Sequence, residues 1–176
     1  MRDNVQLTHA EHKHSGGKFP LAVIACDISS PLNVGSLFRL CDSLGIEKLY
    51  LCGETPVPPN SKINKTSRST EKYVAYEAHD DTEALVTSLK RSGAIIIALE
   101  ISSSSIDISS DEFRSALNSQ KSVCLILGSE NSGISESLLS LSDITTHIPM
   151  MGNNSSMNVT TAASIACFEI TRNLKI

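Results

Sequence analysis

Apolar residues along the chain fall into short runs separated by stretches with a helical period. Leu21 to Cys26 is a compact apolar run of strand length. Pro31, Leu32 and Asn33 open a segment in which Leu37, Leu40, Cys41 and Leu44 recur at i, i+3, i+4 and i+7, and Gly45 supplies the stop. Glu47 to Cys52 returns to a strand pattern. Next come a loop containing Pro56, Pro58 and Pro59, a basic stretch from Lys62 to Lys72 expected to form a loop, and a strand expected at Tyr73 to Tyr76. Asp80 and Asp81 can cap a helix reaching about Arg91, and Ala94 to Leu99 is a β-branched strand. Ser102 to Ser110 reads as a loop with Ile106 and Ile108 pinned to the core, followed by a short helix from Asp111 to Leu117. Val123 to Leu127 is an apolar strand ended by Gly128, and Thr145 to Ile148 is a short strand stopped by Pro149. The last helix begins near Asn158 and reaches about Leu174.

Apolar strands alternating with helices specify an α/β fold: a largely parallel sheet with helices on both faces. Such sheets bind ligands at the carboxyl ends of their strands, so the loops after Cys26, Leu99, Leu127 and Ile148 are where a site is expected. The 176 residues fit one domain over 19–176, preceded by a polar lead-in over 1–18. His9, His12 and His14 in that lead-in read as a solvated tail, because no carboxylate or cysteine cluster completes a metal site.

Composition narrows the function. The formal net charge of −4 excludes a strongly basic nucleic-acid module but leaves room for a local patch. Aromatics are 4% with no Trp, which disfavours a single-strand binder that stacks bases on aromatic platforms. The five cysteines form no CxxC pair, so zinc-ribbon and thioredoxin readings fail and reduced thiols in a cytoplasmic protein are expected. No apolar run approaches the roughly 20 residues that span a membrane. Lys62, Lys65, Arg68 and Lys72 are spaced so that one helical face could carry them, and in an acidic chain they point to RNA phosphate contact.

Familiar nucleotide motifs are missing. No GxGxxG follows a strand, and Gly128-Ser129-Glu130-Asn131-Ser132-Gly133 has phosphate-loop glycine spacing but continues Ile134-Ser135 without the lysine. Neither HExxH nor GxSxG occurs. Three polar segments stand at expected strand ends instead. They are Asn33-Val34-Gly35-Ser36-Leu37-Phe38-Arg39, then Leu127 to Ser135, then Ile148-Pro149-Met150-Met151-Gly152 followed by Ser156-Met157-Asn158-Val159-Thr160-Thr161-Ala162-Ala163. In order and spacing they resemble the NxGxxxR, GxExxG[IL] and IPMxGxxxSLNVSxAA motifs of the SpoU (TrmH-like) RNA 2'-O-ribose methyltransferases of the SPOUT superfamily. Met157 stands where that family usually has Leu, Thr160 where Ser is common, and Ser67-Arg68-Ser69-Thr70 where many relatives have smaller residues.

The resemblance implies a C-terminal deep trefoil knot, S-adenosylmethionine held in it, an RNA substrate and a two-fold homodimer packed through the last helix. No metal is implied, since the cofactor's methyl group is already activated. Transfer RNA is favoured over ribosomal RNA as substrate, with a catalytically silent RNA-binding relative as the rival. By the same resemblance the catalytic set is Asn33, Arg39, Glu130, Ser156 and Asn158, and the cofactor lies against Leu99, Glu100, Gly128, Ile148 and Met157. Simpler roles compete for some of these. Asn33 could be only a helix cap, Arg39 a surface cation paired with Asp42, Glu130 an exposed loop carboxylate, and Ser156 or Asn158 the cap of the last helix. If catalytic, Arg39 acts by gripping a phosphate and steadying charge on the reacting hydroxyl, because a guanidinium stays protonated.

Overall fold

The computed structural model describes residues 4–6, 8, 11, 16–117 and 122–175. His9, His12 and His14 lie outside the described residues. The elements run β1 (Phe19–Cys26), α1 (Pro31–Leu44), β2 (Ile46–Cys52), α2 (Ser61–Ser67), β3 (Tyr76–His79), α3 (Thr82–Arg91), β4 (Ile95–Leu99), β5 (Ile106–Asp107), α4 (Asp111–Leu117), β6 (Val123–Leu127), α5 (Glu136–Leu141), β7 (Ile144–His147) and α6 (Val159–Asn173). The strands form one sheet in the order β3-β2-β1-β6-β4-β7-β5, and every neighbouring pair is parallel.

Strand alternation divides the interior into two layers. Leu21, Val23 and Ala25 of β1 face a core shared with Leu37 and Phe38 of α1, Ile63 of α2, Phe113 of α4, and Ala163, Ala166 and Ile170 of α6. Ile24 and Cys26 face the opposite core, with Val86 of α3 and Leu138 of α5. Both faces of the sheet are therefore covered, as the near-continuous apolar strands required. All five cysteines are buried and free. Burial pushes Cys41, Cys52 and Cys124 up to about 12, so these thiols serve as packing rather than as nucleophiles.

Most expected elements appear within a residue or two, and three expectations are corrected. The strand expected at Tyr73 to Tyr76 begins only at Tyr76, because Thr70–Lys72 closes a 3-10 turn and the N–H groups of Tyr73 and Val74 both go to the Thr70 carbonyl. The basic stretch is not simply a loop: Asn60 accepts from Lys62 N and Ile63 N, and this cap starts the seven-residue α2. The 102–110 loop contains β5, two residues that pair with the edge of β7, and Ile108 is buried as expected. The segment α5, capped by the Ser135 side chain, had no counterpart in the apolar pattern.

Strand order brings the site loops together. The chain leaves β4 for the edge strand β5, crosses to β6 on the far side of β4, and returns to place β7 between β4 and β5. The carboxyl ends of β1, β6, β4 and β7 thus stand side by side, and each is followed by one of the loops singled out in the sequence.

Candidate active site

A cavity of about 660 Å³ opens at those strand ends. Its apolar wall includes Leu99, Leu127, Ile148, Met157 and Ala162, and its polar rim includes Glu100, Glu130, Ser156 and Asn158. Glu100 and Glu130 line it, and among the described residues no Lys or Arg does. Such a cavity suits an organic cation with an apolar body.

Glu130 is held by a tight loop. Ser129 and Gly133 exchange backbone hydrogen bonds at 3.2 and 2.9 Å, closing a small hairpin after β6. Gly128 is required there, because an added Cβ would overlap the Gly133 carbonyl group. Glu100 braces the far side: its Oε2 accepts from Ile134 N at 3.1 Å and its Oε1 from Ile101 N at 2.9 Å. Glu100 therefore lines the cavity while spending both oxygens on the loops around it.

Glu130 itself reaches back to the start of α1. It accepts from Ser29 N (2.9 Å), Ser29 Oγ (3.1 Å), Ser30 N (3.4 Å) and Asn33 Nδ2 (2.8 Å). Burial alone would raise its pKa, but these bonds outweigh burial and hold the carboxyl below its ordinary value. The network continues: Asn158 Nδ2 donates to Asn33 Oδ1 at 3.2 Å, and Asn158 Oδ1 accepts from Thr160 N at 2.9 Å and Thr160 Oγ1 at 2.6 Å. A carboxylate can only accept, and a helix N-terminal N–H can only donate. The two ends thereby fix which way both amides point.

Asn33 is accordingly not the cap of α1. Ser30 holds that position, with Pro31 next, and Asn33 lies inside the first turn with its side chain committed to Glu130 and Asn158. Asn158 does cap α6, so capping and site-building fall to one residue. Ser156 lines the cavity and bonds Asn154 Oδ1 through both its N–H and its hydroxyl.

A second, shallower depression of about 440 Å³ is bounded by Ser36, Arg39, Leu40, Ser43, Lys65, Thr66, Arg68 and Ser164, among others. Among the described residues its charged side chains are all cations. The helices that form it touch closely: a Cβ at Gly35 would overlap Thr66 Oγ1, and that hydroxyl donates to Leu32 O at 3.0 Å. Arg39 makes no ion pair among the described residues, Asp42 included, whereas Lys48, Lys90, Arg114 and Arg172 each do.

The profile of the SpoU rRNA Methylase family matches residues 20–168, most of the chain. The chain belongs to that family. A relative from Thermus thermophilus, named tRNA (guanosine(18)-2'-O)-methyltransferase, is 28% identical over 152 residues, covering 86% of this chain and 74% of the relative. The Aquifex aeolicus TrmH/SpoU tRNA modifying enzyme superposes with a TM-score of 0.77 at 24% identity, over 89% of this chain and 76% of that one. An AdoMet-bound rRNA methyltransferase from Sinorhizobium meliloti gives 0.79 at 24% identity, over 94% of this chain, which spans 59% of that longer one. These superpositions establish the SpoU fold.

Within this SpoU protein the motif residues separate into two places. Glu130, Ser156 and Asn158 line the cavity with all five residues expected to hold the cofactor, Leu99, Glu100, Gly128, Ile148 and Met157, and Asn33 is bonded to two of the three. Arg39 lines the groove with Lys65 and Arg68, while Lys62 and Lys72 stand exposed outside its lining. Sequence reasoning missed Ser29 and Ser30, whose backbone groups hold Glu130, and His147 on the cavity wall. His147 directly precedes the third motif at a strand end, which is the signal that could have found it.

Proposed function

We propose that the protein methylates a ribose 2'-hydroxyl of RNA, with S-adenosylmethionine as donor and transfer RNA as substrate. The observation that carries the reading is an acidic, apolar cavity and a basic groove that share α6, with α1 lining the groove and reaching the cavity rim through the Asn33–Glu130 hydrogen bond. The cavity suits the donor: apolar strand-end residues accept its adenosine, and Glu100 and Glu130 favour its positive charge. When bound, the donor supplies an electrophilic methyl group on sulfur. The chain's own groups do the rest. Arg39, with Lys65 and Arg68, grips the RNA backbone and steadies negative charge developing on the ribose oxygen. The Glu130–Asn33–Asn158 chain holds the loops that orient ribose and donor, and such alignment contributes several kcal/mol to a bimolecular transfer.

The named activity of the Thermus relative supports transfer RNA. A two-fold dimer through α6 belongs to the same reading: one side of that helix is buried on the sheet, while Ile165 and Phe168 on the other are 40% and 56% exposed. The return of β7 between β4 and β5 suits a threaded C-terminal segment. Among the described residues no helix is long and apolar enough to cross a membrane, and we place the protein in the cytoplasm. Incubation with tritiated donor and total RNA, followed by size separation and nucleoside analysis, tests the reading. Label in 2'-O-methylnucleosides of the tRNA fraction is expected. Label in ribosomal RNA would move the substrate, and absence of label would make the protein a silent relative.

A further inference from the structure

The chain contains three tyrosines, and two have ring partners. Tyr50 is buried, with its ring 5.6 Å from that of His79 and the Lys48 ammonium 4.9 Å from its centre. Tyr76 packs edge-on against Phe38 at 5.2 Å. Tyr73 has no ring neighbour among the described residues and is 73% exposed. Its backbone is nonetheless pinned. Tyr73 N and Val74 N donate to Thr70 O at 2.9 and 3.0 Å, and Lys72 N donates to Ser69 O at 3.1 Å. Thr70 and Val74 are buried, and Thr70 Oγ1 donates to Ser67 O at 2.8 Å. Just upstream, Arg68 and Ser69 are consecutive left-handed residues with φ of 56° and 72°, a costly arrangement for residues with side chains. The strained corner sets the turn carrying Lys72 and Tyr73 directly after the helix carrying Lys62 and Lys65.

Charge says what such a ring faces. Lys62, Lys65, Arg68 and Lys72 make no ion pair among the described residues. Glu71, the acid within this stretch, accepts the Ser67 hydroxyl. A flat, amphipathic ring on a fixed base among unpaired cations matches a ligand that offers both anionic groups and an aromatic face. A nucleotide does so when its base is out of the helical stack, since duplex bases hide their faces.

We propose that Tyr73 is a stacking platform for an unpaired base of the RNA whose backbone the basic segment holds. The inference rests on the RNA methyltransferase reading. The test compares wild type, Tyr73→Ala and Tyr73→Phe in anisotropy titrations with transfer RNA and with a short single-stranded RNA. Tyr73→Ala should bind both RNAs about tenfold more weakly, with an unchanged salt slope because no phosphate contact is lost. Tyr73→Phe should keep wild-type affinity, since the ring and not the hydroxyl stacks. Wild-type affinity in Tyr73→Ala overturns the proposal. So does a changed oligomeric state of that variant in sedimentation, which would make the ring an interface residue. Methyl transfer by the wild type is measured alongside. Its absence, with RNA binding that still depends on Tyr73, supports the platform while removing the enzymatic reading.

Discussion

The cavity and the groove share α6 but are made by opposite means. In the cavity nearly every polar group is already committed. Glu130 accepts from the β1–α1 loop and Asn33, Glu100 from two loop N–H groups, Asn33 from Asn158, and Asn158 from the start of α6. In the groove the cations make no ion pair among the described residues, whereas Lys48, Lys90, Arg114 and Arg172 elsewhere each do. A site that must align a small ligand invests in rigidity, since misplacement by an ångström costs rate. A site that meets a polyanion keeps its charges free, because pairing them internally would forfeit the attraction.

The sharpest way to break this division is Arg39→Ala. Methyl transfer should fall by on the order of 10²-fold or more, while donor affinity measured by calorimetry stays at the wild-type value because Arg39 does not line the cavity. Near-wild-type turnover would remove Arg39 from the reaction. Gly128→Val strikes the other side. The new side chain collides with the Gly133 backbone and opens the hairpin carrying Glu130, so donor affinity should drop roughly tenfold, the scale of about 1–3 kcal/mol of overpacking. RNA binding should persist, and equal loss of both would show that cavity and groove are one unit.

Charge reversal of Lys65 and Arg68 together should weaken RNA binding and flatten its salt slope by roughly one unit per lost phosphate contact. Donor affinity should not move. An unchanged slope would make these cations a solvated surface. The smallest effect expected is on acid stability. Glu130 has a folded-state pKa below its ordinary 4.5, so its contribution is present above that value and disappears as the pH falls through the folded pKa. In acid titrations Glu130→Gln should be less stable than wild type at neutral pH, with the gap closing below 4.5. A gap that persisted at lower pH would mean the loop depends on the shape of the side chain rather than on its charge.

Much of this was legible in the chain. The apolar run in β1 and the i, i+3, i+4, i+7 pattern in α1 are local, and they set elements whose boundaries moved little. The cavity residues were legible too, because strand ends in a parallel sheet converge and the motifs mark those ends. Short elements were not. The two residues of β5 and the six of α5 are too few to show a period, and α2 depends on the Asn60 cap rather than on a pattern.

Sequence alone determined the alternation of strands and helices, the two buried faces of the sheet, and the residue types at each strand end. It could not decide what those side chains bond. Asn33 is 97 residues from Glu130 and 125 from Asn158, and as a sequence it reads as a helix cap. Only the parallel order that sets β1 beside β6 makes it the middle of a hydrogen-bonded chain. Arg39 likewise sits in the same motif as Asn33, yet six residues of helix carry it about 9 Å along the axis and to another side. There α2, held close by Gly35, gives it Lys65 and Arg68 as neighbours. Periodicity is a property of neighbouring residues, and partnership is a property of the sheet and helix packing that brings distant residues together.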